Sequence, residues 1–126
     1  RILYELKKQN SNILRGFITL QQGLTTTGKN IYENSPWMVK NYPLEELFLL
    51  PNIIKSLEGH VWSVFYRDVT KQNVELAHKH GLATCVWTVN REQDIIRMIE
   101  YGVDGIITDY PKKVQEICKS KNIAWF

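Results

Sequence analysis

The chain has 126 residues, 44% of them hydrophobic, with 16 Lys and Arg against 13 Asp and Glu, a formal charge of +3. This is the make-up of an ordinary globular domain with room for one core. The basic residues are scattered rather than set in a stripe with interleaved aromatics, which argues against a nucleic-acid partner and suits a small anionic substrate. No apolar run is long enough for a membrane span and no signal-peptide layout opens the chain. Cys85 and Cys118 lack zinc spacing and read as two free, buried thiols.

In chain order, Ile2, Leu3 and Leu6 suit a helix and residues 13–20 (ILRGFITL) a strand. Residues 21–36 read as loop. Within them GLTTTGKN, residues 23–30, has the form of a phosphate-binding loop except at its last position, where Asn30 replaces the magnesium-binding hydroxyl. The helix that should begin at Lys29 meets Pro36 too soon, so a nucleotide site is set aside in favour of a Gly, Thr and Asn loop. If that loop borders a pocket, Lys29 is available to an anion. Residues 43–59 suit helix on both sides of Pro51, and HVWSVFY (residues 60–66) suits a strand, followed by Arg67, positioned to meet a phosphate.

The second half is more regular. Thr70 caps a helix running to His80 with Val74, Ala77 and His78 on one face, and Gly81 ends it. ATCVWTV (residues 83–89) is an apolar strand. Asn90, with Gln93 three residues on, reads as the cap of a helix that turns Ile95, Ile96 and Ile99 inward and stops at Gly102. VDGIITD (residues 103–109) is a further apolar strand, and Asp109 reads as the cap of a last helix with Pro111 in its first turn and Val114, Ile117 and Cys118 inward. Strands joined through helices run parallel, and apolar runs without alternation suit strands covered on both faces. His78 and His80, in a helix's last turn, suit carbonyl capping and the helix dipole, with an inward-packed His78 as the alternative; two apart, they do not share a face for a metal.

Two strand ends carry a more specific pattern. Trp87, Thr88, Val89 and Asn90 spell W-T-V-N, and residues 102–111 spell G-V-D-G-I-I-T-D-x-P, preceded by VELAHKHGL at residues 74–82. This resembles the end of the glycerophosphodiester phosphodiesterase domain, most clearly over residues 74–118. The resemblance implies an α/β fold, the C-terminal half of a TIM-type (β/α)8 barrel, with residues 1–126 as that part of one barrel domain. It implies a parent enzyme that hydrolyses glycerophosphodiesters to glycerol 3-phosphate and an alcohol with a divalent metal, calcium or magnesium. It also implies catalytic histidines in H-R-G and H-D motifs and metal-holding carboxylates in E-x-D and E-x-K motifs. The three histidines, followed by Val61, Lys79 and Gly81, stand in neither histidine motif. The expectation is that the metal ligands lie outside the chain too, so that it carries no catalytic or metal residue and is inactive alone.

The resemblance gives Trp87 to the pocket wall beside the glycerol end of the substrate, a flat apolar face with an N–H suited to a polyol. Asn90 and Asp109, first of all helix caps, stand at the same face, as would Lys29. The partners implied are a small anionic glycerophosphodiester and the N-terminal half of the same barrel; a half barrel by itself should self-associate. Two other readings stay open: a non-catalytic binding or interaction module derived from the same barrel, and an unrelated α/β binding domain complete at this length.

Overall fold

The computed structural model describes residue 9, residues 12–19 and residues 50–124. The expected helix over residues 2–6, the loop containing GLTTTGKN and Lys29, and the helix upstream of Leu50 lie outside the described residues. In order, the elements are β1 (Gly16–Thr19), α1 (Leu50–Ser56), β2 (Val61–Phe65), α2 (Lys71–Lys79), β3 (Ala83–Trp87), α3 (Glu92–Tyr101), β4 (Gly105–Ile106) and α4 (Pro111–Ser120). The strands form one parallel sheet in sequence order, as the helical connections require.

Alternation along the strands divides the sheet into two unlike faces. Trp62 and Val64 of β2 and Thr84 and Val86 of β3 are buried under the helices, against Val74 and Ala77 of α2, Ile95 and Met98 of α3 and Ile117 of α4. The indole of Trp62 donates to Thr19 Oγ1 at 2.9 Å, so the largest core side chain has its polar atom satisfied. The other face carries Val61, Ser63 and Phe65 beside Ala83, Cys85 and Trp87, in register, and it is only half buried. Ile18, paired with Ser63 on β1, is 77% exposed and Ile107, just past β4, 51%. Gly105 pairs with Cys85, and a Cβ there would stand 2.7 Å from the Cys85 sulfur, so a larger residue would have to displace that sulfur.

Helix ends follow local chemistry. Thr70 Oγ1 accepts from the Asn73 N–H at 3.2 Å and starts α2 as expected. Gly102 closes α3 with φ at 78°, a left-handed turn natural to glycine. Pro51 is buried within α1. Two expected caps are corrected. Arg91, not Asn90, is the N-cap of α3, and Tyr110, not Asp109, that of α4, neither with a side-chain cap bond. The expected strand over residues 103–109 shrinks to Gly105–Ile106 because, among the described residues, β4 pairs only with β3. Bonds from Asp104 N to Thr84 O and from Ile107 N to Val86 O, both 2.8 Å, still run it alongside β3.

Candidate functional site

The C-terminal ends of β2, β3 and β4 bring together Phe65, Trp87, Asn90, Thr108 and Asp109. Trp87 pairs with Phe65 across the two strands, their ring centroids 5.4 Å apart and tilted by 48°. The Trp87–Thr88 peptide bond is cis. Trp87 Nε1 is buried with no hydrogen-bond partner. A buried N–H is nearly always satisfied, which sets this donor apart among the described residues.

Asn90 and Asp109 are joined to each other rather than used as caps, which is the physical reason both cap expectations fail. Asn90 Nδ2 donates to Asp109 Oδ2 at 2.6 Å, and Asn90 Oδ1 accepts from Thr108 Oγ1 and from the Asp109 N–H, each at 3.0 Å. With both its amide nitrogen and its amide oxygen engaged, Asn90 ties the end of β3 to the end of β4. Lys113 Nζ donates to the Asn90 carbonyl at 3.2 Å and lies 4.8 Å over the Tyr110 ring. One cation is thus held beside this strand-end lock, a residue the sequence pattern alone did not single out.

The remaining candidates are placed elsewhere. His78 neither caps a carbonyl nor packs inward: it is exposed, and its Nε2–H donates to Asp104 Oδ2 at 2.9 Å, which also accepts the Thr84 N–H at 2.7 Å. That pair closes the opposite end of β3, away from Trp87. Cys118 is buried as expected, but Cys85 is half buried on the open sheet face; both are free thiols. Burial, and after it the Asp104 carboxylate, push the Cys85 thiol above its ordinary range, so it is a poor nucleophile. Arg67 donates through Nε to Tyr66 Oη at 3.0 Å and stands over that ring, lining a groove with residues of α3.

The expectation that the carboxylate motifs lie outside the chain was too strong. Glu5-Leu6-Lys7 has the form E-x-K and Glu92-Gln93-Asp94 the form E-x-D. The second opens α3, where Asp94 pairs with Arg97 at 2.8 Å. The first lies outside the described residues. Among the described residues no group of three or more His, Cys, Asp or Glu is placed to hold a metal ion, and no helix is long and apolar enough to cross a membrane.

A parallel sheet wound with helices, with an open apolar face and its polar cluster at the strands' C-terminal ends, is the layout of a barrel enzyme in part. The chain belongs to the Glycerophosphoryl diester phosphodiesterase family, whose pattern matches residues 5–113, reaching far upstream of residue 74 to begin at Glu5. It is 43% identical over 56 residues to the glycerophosphodiester phosphodiesterase of Caldanaerobacter subterraneus subsp. tengcongensis, covering 44% of this chain and 23% of that protein. To a lysophospholipase D of Rattus norvegicus it is 28% identical over 122 residues, covering 86% of this chain and 37% of that one. A solved structure from Silicibacter pomeroyi DSS-3, assigned to the glycerophosphoryl diester phosphodiesterases, superimposes with a TM-score of 0.75 at 31% identity, over 99% of this chain and 37% of that chain. The chain therefore spans well under half the length of these relatives and forms part of a TIM-type barrel. An unrelated, complete α/β domain is excluded.

Proposed function

We propose that the protein containing this chain hydrolyses glycerophosphodiesters to glycerol 3-phosphate and an alcohol, and that residues 1–126 are the C-terminal part of its one barrel domain. The observation that carries the reading onto this chain is Trp87: it stands in the family's W-T-V-N pattern and its indole N–H is buried without an acceptor. A glycerol moiety offers C–H groups to the ring face and a hydroxyl oxygen to the N–H. Phe65 extends the apolar wall, and the Asn90–Asp109 lock fixes the two strand ends that frame it. Lys113, held on the Asn90 carbonyl, places positive charge at the same rim, compatible with an anionic substrate.

The described residues do not fit the divalent cation that the resemblance implies, so their part in the chemistry is to bind and orient, and no proton transfer or metal step is assigned to them. Glu5, in its E-x-K pattern, is the residue whose form matches a metal-holding glutamate. The N-terminal half of the barrel would supply the remaining groups and cover the open sheet face.

The test is steady-state hydrolysis of glycerophosphocholine by the full natural protein with calcium or magnesium, comparing wild type with Trp87→Phe. Loss of one hydrogen bond of about 1 kcal/mol raises KM roughly fivefold and changes kcat little. An unchanged KM removes Trp87 from the pocket. No hydrolysis of any glycerophosphodiester by the wild type would favour the non-catalytic binding module instead.

A further inference from the structure

Outside the barrel face, on the helix side of the sheet, lies a polar groove of about 350 Å³ lined by Tyr66, Arg67, Arg91, Asp94, Arg97 and Tyr101. Its walls come from three places in the chain. Tyr66 and Arg67 follow β2, Arg91 caps α3, and Asp94, Arg97 and Tyr101 recur along one flank of that helix. Arg91 and Arg97 set two guanidinium groups against the one Asp94 carboxylate there, a surplus of one positive charge before Arg67 is counted. Asp94, only 17% exposed, accepts from Arg97 at 2.8 Å, which holds that guanidinium over the groove. Tyr66 also lines the groove. It is 8% exposed, its oxygen accepts from Arg67 Nε at 3.0 Å, and no hydrogen bond uses its own O–H proton among the described residues. The N-terminus of α3 reaches the same groove with no side chain capping it.

We propose that this groove binds a phosphoryl anion, at a site separate from the Trp87 wall. Guanidinium groups present planar forks of N–H donors that match phosphate oxygens two at a time, and a phenol O–H adds a neutral donor from the floor. Trp62, Val64 and Tyr66 point to the helix-covered face, whereas Phe65 and Trp87 point to the open one. One strand end therefore serves both sites without joining them. The phosphoryl group can belong to a free phosphate or phosphomonoester, or to the headgroup of an anionic phospholipid, since both offer the same oxygens to the arginines.

The experiment uses the full natural protein in phosphate-free and sulfate-free buffer. Inorganic phosphate is titrated while the arginine side-chain N–H signals are followed by NMR, and co-sedimentation is measured with phosphatidylglycerol and with phosphatidylcholine vesicles. The expected result is saturable movement of the arginine signals, weakened tenfold or more by Arg91→Gln combined with Arg97→Gln and severalfold by Tyr66→Phe, with kcat for diester hydrolysis unchanged. Vesicle binding that prefers phosphatidylglycerol and is lost in the double variant identifies the headgroup; phosphate binding without vesicle binding identifies the free anion. Tyr66→Phe guards against misfolding, because it removes one oxygen and keeps the ring. Absence of saturable phosphate binding together with absence of phosphatidylglycerol binding overturns the proposal. So does binding that neither set of substitutions alters.

Discussion

At the residue scale, two side chains at neighbouring strand ends do different work. Trp87 presents a ring face and a donor without an acceptor, so truncating it acts on binding. Asn90 has both halves of its amide engaged, so truncating it acts on structure. Asn90→Ala removes three hydrogen bonds to Thr108 and Asp109. At this half-exposed site the expected loss is about 2 kcal/mol of unfolding free energy, read by urea denaturation of the full natural protein; a loss below a few tenths would show that the lock is ornamental. Cys85 gives a prediction with pH. Its raised pKa means a smaller thiolate fraction at any given pH than an unperturbed cysteine has. Iodoacetamide should therefore label Cys85 more slowly in the native protein than in urea at the same mildly alkaline pH, with the native rate rising only at higher pH. Native labelling as fast as in urea would contradict this. The stability effect has the same sign: the folded state keeps the thiol proton longer, so stability falls as pH rises past the ordinary thiol range.

At the element scale, the approach of β3 to β4 sets a constraint that a single methyl group probes. A methyl group at residue 105 would meet the Cys85 sulfur at 2.7 Å. Gly105→Ala is expected to cost about 1–3 kcal/mol through overpacking. Adding Cys85→Ala removes the obstructing sulfur and should restore most of that loss. If the double variant were no more stable than the single one, the contact would not be the cause. The same strand shows why short elements read poorly from sequence. Residues 103–109 are apolar enough for a long strand, yet with one neighbour among the described residues the regular ladder reduces to Gly105–Ile106. The caps failed for a related reason: Asn90 and Asp109 have cap chemistry, but each satisfied it on the other, a partner 19 residues away.

At the scale of the whole molecule, the sheet has one finished face and one unfinished. Helices bury Trp62, Val64, Thr84 and Val86, while Ile18 and Ile107 remain largely exposed on or beside the open side. An exposed apolar sheet face is a pairing surface. The 126-residue chain on its own should therefore sediment as dimers or larger species at micromolar concentrations, and Ile18→Lys with Ile107→Lys should shift it toward monomer. A wild-type chain that stays monomeric throughout would show that its faces are already closed.

What the sequence determined by itself was local and periodic. Apolar runs broken by Gly81 and Gly102 named the parallel αβ units, because each helix end needs its own backbone chemistry at a fixed place in the chain. The spelled-out strand ends of residues 87–90 and 102–111 named the family. Membership of that family in turn implied parallel strands of a TIM-type barrel. What tertiary structure decided was partnership across the chain: that Asn90 holds Asp109, that His78 holds Asp104, that the Trp87 N–H finds no acceptor, and that arginines from two loops and a helix line one groove. Hydrogen-bond partners and convergent charges are set by distance in space, which no spacing along the chain encodes.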